Sequence, residues 1–345
     1  MKIKTMRSKI LASIAGLLVS LISPLAVLVP QVAAATLTWD GGGLSSLVDN
    51  IVITNDLTDL SLAGIQVTGS SPELFSITVE GNPITLTGDI TGDQEEGTVI
   101  LDISVNLGSN VEYSVPRGAV RLGSFGTSAV VNVNSYNLTF STPAIDCRYI
   151  NINSGLNGSG NIVTATGAAA VNLIGSGLGF SGDVVVNGEG LSIAQDALMS
   201  FVDVTMNNSS RLILSASENN YTYDINLIMN SSADPALEAG PYRFACSGGP
   251  SPATTTKVAG SLTLQRNTIF SGQNNLVIEG TFTSGGFSLT TKSGSEGTIT
   301  TSAGAVSAPK ETITIPESDK SSAFLSVGNN QTVILNGERG TVNVN

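Results

Sequence analysis

Between Gly155 and Ile193 the chain stops and restarts every few residues. Short β-forming runs at Ile162 to Thr166, Val171 to Ile174, Val184 to Asn187 and Leu191 to Ile193 are broken at Gly167, at 175–179, at Gly182 and at Gly188. Runs this short cannot make helices, and each offers a single apolar stripe that only a neighbouring run can cover. Even spacing of such units is the pattern of a chain that buries its core by stacking coil upon coil. The expected fold is therefore all-β, a parallel β-solenoid with roughly 20 to 30 residues per coil and a rise of about 4.8 Å. Some 10 to 15 coils, forming a rod on the order of 50 to 70 Å, would follow. Val, Ile and Leu should point inward and Thr, Ser and Asn outward, with Val171, Leu173 and either Val185 or its neighbour Val186 in the core and Ser192 at the surface. Asn side chains at the turns should stack in ladders.

Two zones divide the chain behind the leader. Residues 36–142 are a less regular β-rich region, for which an antiparallel β-sandwich module is the alternative fold. Residues 143–345 carry the glycine-punctuated solenoid, broken near 217–260 by a segment with Pro235, Pro241 and Pro252 that reads as an excursion. Ala194 to Phe201 reads either as one helical turn or as a bent connector.

Residues 1–35 have the three parts of an export signal. Lys2, Lys4, Arg7 and Lys9 precede an apolar run from Ile10 to Pro30, and Ala33, Ala34 and Ala35 supply a small-residue cleavage pattern. The run approaches a membrane span in length, so a retained anchor is the competing reading. Ser23, Pro24 and Pro30 interrupt it as a helix and favour cleavage. Beyond the leader, eleven basic residues stand against 27 acidic ones, a net charge of −16. Such a surface repels nucleic acid and suits an extracellular setting.

The chain contains no histidine. Ser-His and Cys-His nucleophile systems are thereby excluded, along with the commonest general base and neutral metal ligand. Two cysteines, Cys147 and Cys246, are too few for a zinc site without carboxylate help. On a regular solenoid their 99-residue separation would hold them beyond the roughly 7 Å Cα limit of a disulfide, unless one lies on the excursion.

Few residues are positioned for chemistry. Asp89, Asp93, Glu95 and Glu96 form the densest carboxylate cluster and are the nearest thing to a calcium site, but their spacing fits neither an EF-hand nor the calcium-binding nonapeptide. A solvated turn is the simpler reading. Asp146 and Arg148 would share one strand face, as acids and bases do in carbohydrate-cleaving β-helices, but a surface ion pair beside Cys147 is the commoner meaning. The run 155–160 lacks the strand-loop-helix setting and the lysine of a phosphate loop, and reads as a turn. Tyr221 and Tyr223 would point the same way from a strand and could stack on sugar rings, against the plainer role of packing. No catalytic residue and no cofactor is implied.

At 167–193 the run GAAAVNLIGSGLGFSGDVVVNGEGLSI resembles the autotransporter-associated β-strand repeat of exported bacterial surface proteins. Val171 and Leu173 match its alternating apolar positions, Gly175 its turn glycine, Phe180, Ser181 and Gly182 its aromatic-Ser-Gly step, and Val186, Asn187 and Leu191 its closing strand. Glu189 departs from the pattern where the family has glycine. Residues 286–304 are similar to the leading half of the repeat, with Glu296 inserted, and Thr38 to Gly43 is similar to the openings of such proteins. The resemblance implies a right-handed parallel β-helix, displayed or secreted, with adhesive rather than catalytic work and with surface glycans or neighbouring cells as partners. Self-association through the solenoid ends is a further expectation. An extracellular polysaccharide-binding or polysaccharide-degrading β-helix is the alternative.

Overall fold

A computed structural model describes residues 35–39, 50–67, 76–92, 98–114, 119–124, 126–144, 149–177, 179–198, 200–216, 220–240, 255–292 and 299–301, together with strands at 311–315, 324–327, 331–335 and 341–344. The described chain contains no helix, and a parallel β-solenoid spans residues 54–291. Among the described residues every pairing between strands is parallel, and the antiparallel contact found there is an isolated bridge between Pro143 and Ala168.

Each coil contributes up to three short strands, one to each of three lateral faces. Leu60–Val67 belongs to two of these faces at once: its residues 60–62 pair with Ile84–Leu86 and 65–67 with Ile90–Gly92, while Ala35–Trp39 pairs along 62–67 from the other side. The first face climbs through Val105–Leu107, Val130–Asn134 and Gly155–Gly158 to Gly179–Phe180, where its ladder stops. Tyr221–Tyr223 takes up that place in the coil order and opens a four-stranded sheet with Thr255–Val258, Asn275–Ile278 and Ile299–Thr301. The second face is unbroken from Leu60–Val67 to Phe282–Thr283. The third is an eleven-stranded sheet from Asn50–Asn55 to Leu289–Thr291.

Strand register turns the alternation of the sequence into columns. On the second face Val111, Leu138, Ile162, Val184, Val204, Leu227, Leu262 and Phe282 stack directly above one another, each at most 2% exposed. On the third, Ile150, Val171, Leu191, Leu212, Leu237 and Phe270 do the same. The rungs of the second-face column are 27, 24, 22, 20, 23, 35 and 20 residues apart, so a coil changes length in its turns while its inward positions stay in register. Each buried Leu or Val removes about 1.5 to 3 kcal/mol of apolar surface from water, and the columns make that gain continuous along the stack.

The glycine punctuation has a steric cause at the corner that leads into the second face. A Cβ on Gly182 would sit 1.9 Å from the carbonyl oxygen of Gly160 one coil below, and one on Gly280 would sit 2.2 Å from that of Gly260. Neighbouring coils there touch backbone to backbone, so only glycine fits.

Several expectations are revised. The sandwich alternative for 36–142 gives way, because Leu138–Phe140 pairs with Ile162–Thr164 and Ala119–Leu122 with Tyr149–Ile152, carrying the ladders across the expected boundary. The excursion at 217–260 is also narrower than its prolines implied: Tyr221–Tyr223, Ile225–Met229 and Leu237–Gly240 are ordinary rungs. Residues 1–34, which hold the export-signal pattern, and 241–254 lie outside the described residues. Ala194 to Phe201 leaves strand Gly190–Ala194 through a turn, without a helix, in agreement with a bent connector.

Candidate functional site

With the interior filled by columns, the outward rows are what the solenoid presents. The second face carries two of them. In one, Thr139, Val163, Val185, Thr205, Ile228, Thr263 and Thr283 follow each other rung by rung, all β-branched and all half-buried. Branched side chains stand stiffly on a pleated surface, so this row is a regular ridge without charge.

The second row runs along the corner and is polar. Asn137 N donates to Asn110 Oδ1 at 2.9 Å, Asn161 N to Asn137 Oδ1 at 3.2 Å, and Asp183 N to Asn161 Oδ1 at 2.9 Å. Further up, Asn226 Nδ2 donates to Asp203 Oδ1 at 2.8 Å, and Ser261 N to Asn226 Oδ1 at 2.9 Å. Each side-chain oxygen here takes a donor from the next coil, which ties rungs together at a corner where the sheet ladder cannot. A second amide stack marks the corner between the second and third faces, where Asn207 bonds Asn187 at 3.0 Å and Asn230 bonds Asn207 at 3.1 Å. Behind it, buried Ser210 and Ser231 donate to the carbonyls of Gly188 and Ser210 at 2.5 Å.

The third face is different. Its outward row reads Arg121, Asn151, Asn172, Ser192, Ile213 and Glu238, and the middle of it is covered: Asn172, Ser192 and Ile213 are each 1% exposed. Strands Ala170–Leu173 and Gly190–Ala194 are thus buried on both sides. Ser192, expected at the surface, is enclosed, and its Oγ has no hydrogen-bond partner among the described residues. Higher up lies the principal charged cluster. Arg211 Nε meets Glu238 Oε1 at 2.7 Å, and Lys292 Nζ meets Asp234 Oδ1 at 3.2 Å. Burial pushes the Glu238 carboxyl above its ordinary range, and Arg211 and Lys292 pull against that shift.

The residues singled out by sequence do not converge. Asp89 is exposed at a turn, and its Oδ1 accepts Glu112 N at 2.8 Å. Asp93, Glu95 and Glu96 lie outside the described residues, as do Asp146, Cys147, Arg148 and Cys246. No cluster of metal-ligating side chains occurs among the described residues. The run 155–160 forms strand Gly155–Gly158 and then the corner, a correction to its reading as a turn alone. Tyr221 and Tyr223 do share a side, but that side faces the core. Their rings meet edge to face at 4.8 Å, Tyr223 is fully buried, and its hydroxyl donates to Ile193 O at 3.1 Å. The sugar-stacking reading of that pair therefore fails. Sequence reasoning passed over Phe201, which is 65% exposed immediately before strand Val202–Met206. Its one visible signal was its place at the end of a connector that breaks the strand rhythm.

Comparison with family models, curated proteins and solved structures finds no match to this chain.

Proposed function

We propose that this is an exported, non-catalytic, adhesin-like structural protein that presents extended outward rows to surface glycans or to a neighbouring cell. The observation that carries this reading is the second face, where β-branched and amide side chains repeat rung after rung. A surface of this kind suits extended partners, which it would engage by many weak, repeated contacts. The leader pattern, the acidic surface and the autotransporter-like repeat at 167–193 support the same placement outside the cell. The test is adhesion by the purified protein to cells and to immobilised glycans. Saturable binding supports display, and a protein that coats neither surface overturns it.

One observation favours the alternative of a polysaccharide-degrading β-helix. Glu238, with its carboxyl raised by burial and with Arg211 and Lys292 close by, has the desolvated, charge-flanked environment expected of a candidate general acid. Turnover of a polysaccharide that is abolished by Glu238→Gln, with the β spectrum intact, would replace the display reading.

A further inference from the structure

Three Asn-Gly pairs occur in the chain, at 157–158, 187–188 and 336–337, and the last lies outside the described residues. Glycine leaves its own amide nitrogen unshielded, so an asparagine before it can be attacked by the main chain unless the fold holds the two apart. The two described pairs are held very differently.

At 187–188 every group that would react is tied to a neighbouring coil. Asn187 Nδ2 donates to Thr164 O at 3.0 Å, its Oδ1 accepts from Asn207 Nδ2 at 3.0 Å, and Gly188 N donates to Thr164 Oγ1 at 2.9 Å. A carboxamide gripped at both ends cannot turn its carbon towards a nitrogen that is itself engaged. At 157–158 the grip is missing. Asn157 is exposed, and its Nδ2 has no partner among the described residues. Gly158 N is turned into the side chain before it, donating to Asn157 Oδ1 at 2.9 Å, which seats the nitrogen beside Cγ. Rotation of the free carboxamide then presents Cγ to it. The ladder is irregular at this point, since the register with the coil below skips Val133 between Asn132 and Asn134. The fold also imposes the glycine: its φ is +106°, and a Cβ there would lie 2.5 Å from Asn134 N.

We propose that Asn157 is a site of spontaneous deamidation, a covalent modification of the first face that Asn187 escapes. Gly158 N attacks Asn157 Cγ, the new N–Cγ bond replaces Cγ–Nδ2, and ammonia leaves with the proton that Gly158 N gives up. Water then opens the cyclic imide, at the new N–Cγ bond to leave aspartate or at the original peptide bond to leave isoaspartate. Either product adds a negative charge. Isoaspartate also lengthens the main chain by one atom, at a rung that pairs with Gly179–Phe180, where the first-face ladder stops. Asn157 Oδ1 already lies 2.5 Å from the point that a Cβ on Gly179 would occupy, so this rung has little slack, and its upper neighbour should loosen.

The test follows the full chain by peptide mass mapping and isoelectric focusing during incubation at neutral pH and physiological temperature, beside the same chain in urea. Expected in the folded protein is conversion at Asn157 at least about tenfold faster than at Asn187, with similar rates at the two positions in urea, where local sequence alone decides. Asn157→Gln, which would have to close a larger ring, should keep the β spectrum and lose the added acidic band. Amide exchange at Gly179–Phe180 should quicken in the isoaspartate fraction. Equal conversion of Asn157 and Asn187 in the folded chain overturns the proposal, as does an Asn157 that stays intact there while both positions convert in urea.

Discussion

Single side chains in this fold divide sharply by the direction in which they point. Leu173 is 1% exposed with Ile152 below it and Ile193 above, so Leu173→Asp places an unpaired charge in a closed column. A loss of about 3 to 5 kcal/mol is expected in chemical denaturation, against no more than about 0.5 kcal/mol for Thr205→Ala on the outward ridge. Equal tolerance at the two positions would mean that the faces are reversed. Tyr113 is a subtler case. Its ring packs at a tilt against Phe140 with centroids 5.5 Å apart, its hydroxyl is buried with no hydrogen-bond partner among the described residues, and burial raises its pKa well above the ordinary value. Tyr113→Phe should therefore be neutral or stabilising, by up to about 1 to 3 kcal/mol. The pH sign follows from linkage: the unfolded chain releases this proton near pH 10 while the folded protein holds it, so stability is complete below pH 10 and falls as pH rises above it. The phenylalanine variant should lose that part of the alkaline decline, and a denaturation series from pH 8 to 11 would show whether it does.

At the scale of the strand and its turn, the corners decide how closely coils can approach. Gly182→Ala drives a methyl group into a backbone carbonyl 1.9 Å away, and neither side of that contact is a flexible chain end. It should lower stability by more than about 1 kcal/mol and shift the melting temperature by several degrees, whereas Ser181→Ala on the exposed side of the same corner should leave it unchanged. A melting curve that is the same for both would remove the close approach of coils as the reason for the glycine pattern. This is also the scale at which the sequence was most legible. The spacing of Val184 and Leu191 from Gly182 and Gly188 gave the strands, the inward residues and the stacking, because each follows from local pattern alone. Three things were hidden for the same physical reason. Prolines at 235, 241 and 252 signal backbone constraint, but they do not reveal that Ile225–Met229 and Leu237–Gly240 still meet their rungs, since register is fixed by coils above and below. Ser192 reads as an outward serine in any single strand, and only the assembled third face encloses it. Phe201 escaped notice because exposure is a property of the stack.

For the molecule as a whole, the decisive property is that each coil touches mainly the coil before and the coil after. Stability in such a stack behaves as a sum of rung terms and nearest-neighbour terms, so it is graded along the stack, with central rungs supported on both sides and terminal rungs on one. Hydrogen exchange should show this gradient. Amides in Ile162–Thr164, Val184–Val186 and Val202–Met206, with paired strands on either side, should be the slowest, and those in Asn50–Asn55, at one end of the third-face sheet, among the fastest. The same logic fixes how damage spreads. Leu173→Asp should speed exchange first in Tyr149–Ile152 and Gly190–Ala194, the two strands paired with Ala170–Leu173, and only weakly in Leu262–Leu264 several coils away. Uniform acceleration along the chain would show that the solenoid opens as one cooperative block, in which case neighbour-by-neighbour stacking would not describe its energetics. A local response would mean that a long outward surface can keep most of its contacts while one rung is open, as the proposed adhesion through many repeated weak contacts would require.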